Sequence, residues 1–457
     1  MEEVKLDAVT LAHMALDAAG KAGATQAEAF AVRSVTKSVY VDDTRIKICE
    51  EKEDQGIAMR AMKGKRLAQV SSTAVFENDA VACAKVATLL ADRSPSSRTY
   101  DRFPLPSQAT LSPGPWDDRI ESAEAANLIE LVKATIGTVA ERGVKVPRGV
   151  LRVATIESTI LNTNGVDVSH RSTLMYANYD SMAEGTSPGE GVVSFNSPWL
   201  EDYAPESLGE RLAQQALSAR DAKALDGPVK GTVMIAPWEL GQMLATSIMP
   251  AVSAESVYKK RSPWAGMEGK QVASEKLTIV DDPSDRRGLL SAAYDDEGVP
   301  TSVKRVVEKG VLKTYLYDSY NSSIDRKVPS GNGMRRRPQD AQYLFRSSLA
   351  CAPVNMVVSP GRRPPEEIIS SMDEGVVVDR FAFPTVSPYT GAFSLEVRSA
   401  HIVRNGSTAG HIKHALVTGN MFDGLKNIVE VGNDATIAGD TILPSIAFDG
   451  FEVVGSR

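Results

Sequence analysis

The chain has 457 residues, of which 42% are hydrophobic and 24% charged, and its formal net charge is −7. That length allows roughly two or three domains with large cores. The acidic balance argues against a nucleic-acid binder, which relies on a basic face. The opening MEEVKLDAV is acidic and lacks an apolar signal core, and no apolar run approaches the roughly 18 residues of a membrane helix. Cys49, Cys83 and Cys351 are odd in number and far apart. A reduced, cytoplasmic protein without disulfides or membrane contact is expected.

The first helix is predicted over 5–20. Leu6, Val9, Ala12, His13 and Leu16 fall on one stripe, with His13 as a half-buried packing residue, and Gly20 and Gly23 follow as stops. Strands are predicted at 28–34, with Phe30 and Val32 on one face, and at 37–42. The segment 56–73 reads as a hairpin turning at Lys63, Gly64 and Lys65. Asn78 and Asp79 can cap a helix reaching Asp92. Residues 94–119, rich in proline and serine, read as a long loop. A further helix is predicted over 121–142, strands at 149–161 and 166–177 across Asn164-Gly165, and a helix over 206–225. This order fits an α+β domain at 1–226, an antiparallel sheet with helices on one face.

The second domain is expected at 227–457. It opens with a strand at 231–236 and a helix from Pro237 that holds Trp238, Leu240, Leu244 and Ile248. Proline in a helix interior costs about 3 kcal/mol, so this helix is expected to stop or kink around Met249, near Pro250. From there the pattern is mostly β, barrel-like or sandwich, with short helices at 365–372 and 421–428.

Eight segments in order carry a resemblance: KLTIVDDP (276–283), YDDEGVP (294–300), VEKGVLKTYLYDSYNS (307–322), GNGMRR (331–336), SPGRRPPEEII (359–369), TGAFS (390–394), IVRNG (402–406) and VGND (431–434). Together they span most of 230–455, and the chain resembles the TldD/PmbA family, which is associated with zinc-dependent peptidases. The resemblance implies a two-subunit enzyme. One subunit carries zinc on an HExxxH helix, aided by a late cysteine, and the other completes a chamber and helps bind an extended, unfolded peptide or a leader peptide. Two histidines about a turn apart can hold one zinc, whose bound water the glutamate polarises for attack on the peptide carbonyl. Here the counterpart stretch is SIMPAVSAESVYKKRS (247–262). The histidine positions fall near Met249 and Ala254, Glu255 is a lone acid expected at the surface, and no cysteine follows VGND.

The sequence therefore resembles the PmbA/TldE branch, without HExxxH. The expected function is that of a non-catalytic subunit of a TldD/TldE-type metallopeptidase, with no cofactor of its own and zinc in a TldD-like partner. Activity then requires that partner. Thr390, Gly391, Ala392, Phe393 and Ser394 are the expected peptide-binding strand, with Gly391 either allowing close approach of the substrate backbone or serving a φ > 0 turn. Two alternatives stand beside this reading: a homodimeric peptide-binding scaffold, and a metallopeptidase with a relocated metal site at His401, His411 and His414. Residues three apart on a strand point to opposite faces, which counts against pairing His411 with His414. Three other features read as structural. Asp295-Asp296-Glu297 before Gly298 has hairpin chemistry, although a hard cation is an alternative. Arg335-Arg336-Arg337 reads as a solvated turn, and Cys351 as a small, partly buried apolar residue.

Overall fold

The computed structural model describes residues 5–220, 222–225, 227–335, 341 and 343–455. The first half is built on α1 (Ala8–Lys21), β1 (Gln26–Asp42), β2 (Arg45–Lys63), β3 (Arg66–Thr73), α2 (Glu77–Arg93), α3 (Asp118–Glu121), α4 (Ala125–Glu141), β4 (Lys145–Asn162), β5 (Asp167–Ala183), β6 (Gly189–Ser197) and α5 (Pro205–Ala219). The six strands form one antiparallel sheet in the order β3-β2-β1-β4-β5-β6, which leaves β6 at an edge.

Alternation of side chains along β1 decides what each face of this sheet meets. Its odd residues Ala27, Ala29 and Ala31 pack under α1 and α2, and Val39 and Val41 pack under α4 and α5. All four helices therefore cover one face. The even residues Phe30 and Val32 face the second half of the chain, where they pack with Leu289, Leu344 and Phe345. The approach is close. A Cβ added to Gly56 would stand 2.4 Å from the Phe345 ring.

Two expectations need correction here. β1 runs unbroken for 17 residues instead of splitting near Thr36. It is paired on both sides, so backbone bonding carries it through its polar stretch. The buried face of α1 is Leu11, Ala12, Ala15, Ala18 and Ala19, while His13 is exposed and Val9 is 42% exposed. Small alanines, not the larger residues of the predicted stripe, let this helix lie close on the sheet.

The second half begins with β7 (Thr232–Ile235), α6 (Pro237–Ala251) and α7 (Ala254–Tyr258). An eight-stranded sheet runs through Ile428–Val431, Ile446–Phe448, β7, Glu374–Phe381, Ala392–Arg404, Ala415–Asn420 and Glu452–Gly455, with Ser407–Ile412 hairpinned onto Ala392–Arg404. A six-stranded sheet joins Val311–Leu312, Lys304–Glu308, Ile279–Asp281, Met356–Val358, Thr441–Leu443 and Thr436–Ala438. One apolar cluster contains residues of both sheets and the buried face of α6, namely Leu240, Met243, Leu244, Ile248 and Ala251. The fold is thus α+β, with a sandwich-like, mostly β second half. α6 passes through Pro250 and ends at Ala251, close to the stop expected around Met249. The proline lies in the final turn, where Val252 still donates to the Ile248 carbonyl at 3.1 Å. There only one helical hydrogen bond is forgone.

Candidate functional site

The stretch that the resemblance sets against a zinc-binding helix is the end of α6 and the start of α7. Met249 is 8% exposed and Ala254 1%, and both belong to the central apolar cluster. The Ala254 N–H donates to the Leu316 carbonyl at 3.0 Å, which anchors the turn between the two helices. Glu255 pairs with Lys259 at the surface. Beside this turn Cys351 is more deeply buried than the sequence suggests. Its thiol donates to the Leu316 carbonyl at 2.8 Å, and burial pushes its pKa up to about 12. Such a thiol is inert.

Thr390 and Gly391 precede the strand, which begins at Ala392. Gly391 has φ +75°, and a Cβ there would meet the Phe422 ring at 2.3 Å and the Asn420 side-chain oxygen at 2.7 Å. It therefore serves a tight turn, fixed further by the Met421 N–H donating to its carbonyl. Ala392, Phe393 and Ser394 pair with Asn420, Gly419 and Thr418. On the opposite edge Ser387 N–H donates to the Ala392 carbonyl at 3.1 Å and Ala382 N–H to the Glu396 carbonyl at 2.8 Å. Phe393 is buried, whereas Thr390, Ala392 and Ser394 are exposed.

His401 and His411 lie opposite each other on paired strands, their rings 5.9 Å apart, and His401 Nδ1 is 3.6 Å from Asp379. His414 is not with them. It adopts φ +56° after the hairpin, and its Nδ1 lies 3.3 Å from Glu396. Among the described residues no group of three or more His, Cys, Asp or Glu side chains is placed to hold a metal ion.

The seam between the two halves holds a buried ion cluster. Glu28 and Arg60 are cross-strand partners on the seam face of the sheet. Arg60 bonds Glu28 at 2.5 and 2.7 Å and reaches across to Glu297 at 2.7 Å. Glu297 also accepts from the Ser319 N–H at 2.7 Å. Arg335, 0% exposed, lies 3.3 Å from Glu28, its guanidinium over the Phe30 ring and its backbone N–H bonded to Asp296. Asp295 accepts from the N–H groups of Glu297, Val299 and Gly333, yet burial and the adjacent Glu297 charge hold its pKa well above the carboxylate range. Asp295-Asp296-Glu297 is therefore a buried brace and not an exposed hairpin tip. Arg335 likewise departs from the predicted solvated turn, while Arg336 and Arg337 lie outside the described residues.

A second feature of the seam is open. A cleft of about 390 Å³ runs between edge strand β6, α5 and the first turn of α6. Within it Glu239, 1% exposed, accepts from Arg380 at 3.2 Å and from the Phe381 N–H at 3.0 Å, and burial raises its pKa. Asn196 is 3% exposed and neither atom of its amide has a partner. Arg211 opens to solvent yet is walled by protein, which lowers its pKa, and no carboxylate among the described residues answers it. No sequence motif marks this cleft.

Comparison with known proteins gives a consistent answer. Domain 1 of the PmbA/TldA metallopeptidases matches residues 27–91, their central domain 118–220, and their C-terminal domain 228–455. The chain belongs to the PmbA/TldD metallopeptidase family. An uncharacterised protein of Methanocaldococcus jannaschii is 26% identical over 426 residues, 93% of this chain and 95% of its own length. A protein of Buchnera aphidicola named metalloprotease TldD homolog is 28% identical over 239 residues, 51% of this chain and 46% of its own length. The crystal structure of TldE from Thermococcus kodakarensis superposes with a TM-score of 0.88 over 97% of this chain and 100% of that one, at 22% identity, and shows the fold.

The family name implies a metal, and the zinc-helix counterpart can be tested against it. The methyl of Ala254 is no ligand, and the Met249 thioether is not among the sulfur, imidazole or carboxylate donors that zinc takes. Both side chains pack in apolar core. The residues of this PmbA/TldD member do not fit zinc at that position.

Proposed function

We propose that this chain is the peptide-holding, non-catalytic subunit of a PmbA/TldD-type metallopeptidase whose zinc belongs to a partner subunit. The observation that carries the reading is the packing of Met249 and Ala254, apolar and buried where the resemblance sets the two histidines. A catalytic zinc needs three protein ligands and an open position for water, and neither can be assembled at this turn without emptying core. What the subunit contributes is a scaffold for an extended chain. The exposed Thr390, Ala392 and Ser394 can touch peptide through their side chains, since much of their backbone is already bonded. No helix among the described residues is long and apolar enough to cross a membrane, and the assembly is proposed to work on unfolded peptide in the cytoplasm.

The test is reconstitution. An unfolded peptide is incubated with this chain, with an HExxxH-bearing relative from the same source, and with both. Cleavage is expected from the mixture, with none from this chain. Chelator-sensitive cleavage by the chain alone would overturn the proposal.

A further inference from the structure

We propose that the cleft between β6, α5 and α6 is an anchoring site for a carboxylate, specifically the C-terminal carboxylate of an extended peptide. This rests on the peptide-holding reading above and adds the end of the substrate that is recognised.

Three independent features converge on the cleft. The first is charge. Arg380 is neutralised by Glu239, Arg287 by Asp285, and Asp202 is bonded to the Ser197 hydroxyl. Asp379 also lines the cleft, near the Ser399 hydroxyl and His401, so among the described residues two carboxylates there have no arginine partner. Arg211 is the lining arginine with no carboxylate within ion-pair distance among the described residues, which leaves its guanidinium free to take one from a ligand. The second is the start of α6. The N-cap is Ala236, which offers no side-chain cap, and Pro237 has no N–H, so the N–H groups of Trp238 and Glu239 are the ones left at the cleft, with the Glu239 carboxylate already offsetting part of the helix dipole. The third is Asn196. A buried amide with both ends unpaired is costly, and alternation along β6 sets it on the same face as Val192 and Ser194. It can donate through Nδ2 to a carbonyl or carboxylate and accept at Oδ1 from a peptide N–H. A phosphate offers no such N–H, so Asn196 favours a peptide terminus.

The edge of β6 gives the rest of the peptide a track. Val192 N–H points away from β5 and is capped by the Gln215 side chain at 3.1 Å. Alternation along the strand then turns the N–H and C=O of Ser194 to that same edge, where an incoming extended chain can pair. Trp238 lines the cleft and reports on occupancy.

The experiment uses the full chain alone. One unfolded peptide is made with a free C-terminal carboxylate and as its C-terminal amide, and binding is followed by calorimetry and tryptophan fluorescence. The amide is expected to bind about tenfold more weakly or worse, the scale of a lost charge-assisted pair. Arg211→Ala should weaken the carboxylate form by a similar factor and leave the amide form unchanged, with Arg211→Lys restoring much of the difference. Circular dichroism melts check that the variants fold. A free amino acid that competes through Arg211, with the full peptide binding no tighter, would overturn the peptide in favour of a small-molecule ligand. Inorganic phosphate that displaces both peptide forms equally would make this a general anion site and overturn the proposal. Equal binding of acid and amide, unaffected by Arg211→Ala, would overturn it while leaving the peptide-holding subunit standing. No binding of either form would overturn both readings.

Discussion

Two places on the same seam are built in opposite ways. At the Glu28–Arg60–Glu297–Arg335 cluster, charges are sealed from water and each has an opposite charge within reach, although Nε and Nη1 of Arg335 have no hydrogen-bond partner among the described residues. At the cleft, the solvent-facing Arg211 has no carboxylate partner and the buried Asn196 amide has no hydrogen-bond partner among the described residues. Buried ion pairs return little net stability, but removing one partner is expensive because it strands the other. The first arrangement thus ties the N-terminal sheet to the C-terminal half, and the second leaves interactions available to a ligand. A charge set among protein walls does not by itself distinguish a brace from a site. Whether the charge is already paired does.

The comparison breaks most sharply at Arg60. Replacing it with methionine leaves Glu297 buried without its cation and Glu28 with Arg335 as its only one, and the expected loss is about 3–5 kcal/mol, read by denaturant unfolding. A loss as small as that of a surface substitution would show that the cluster is no brace. Gly391→Val comes next. A side chain at φ +75° against Phe422 should cost about 1–3 kcal/mol in backbone strain before any clash. Reduced soluble yield and a lowered melting temperature are expected, and an unchanged melt would return this glycine to the substrate path.

Asp318, which accepts from the Asn321 N–H and precedes the Ser319 whose N–H binds Glu297, should also titrate. Burial first, and the Glu297 charge second, raise the pKa of Asp318 to about 6 from 3.8. A carboxyl raised on folding contributes stability that is full below about pH 3.8 and lost as the pH rises through about 6. Comparing the wild type with Asp318→Asn across that window should therefore show a declining advantage of about 1–3 kcal/mol. A flat difference would contradict the assignment. The smallest effect belongs to the cleft: Arg211→Ala should change folding stability by no more than about 0.5 kcal/mol, although it alters binding. A large destabilisation there would make the cleft a second brace.

Much of the fold was legible. Helices and hairpins of the first half follow from periodicity and turn residues, and motif order located the second half. The brace was not read, yet one signal for it was present. Glu28 shares strand parity with Phe30 and Val32, which marks it as a charge on an apolar face. Its meaning depended on partners far along the chain, since Arg60 and Glu297 are 237 residues apart and Glu28 and Arg335 307. Arg335 looked like a surface residue because its neighbours Arg336 and Arg337 disguised it. The cleft left no mark at all. It arises where an edge strand, a helix side and a helix start meet, and none of these is unusual in sequence. At α6 the sequence reported the missing histidines, but only packing shows that Met249 and Ala254 fill the space with core.

The central claim is that this chain holds peptide and does not cut it. Its most direct test is calorimetric binding of an unfolded peptide to the untagged chain in excess chelator, with mass spectrometry of the peptide afterwards. The account predicts binding unaffected by chelator and an intact peptide before and after zinc is restored. Binding that requires zinc, or fragments that appear when zinc is returned to the chain alone, would contradict it.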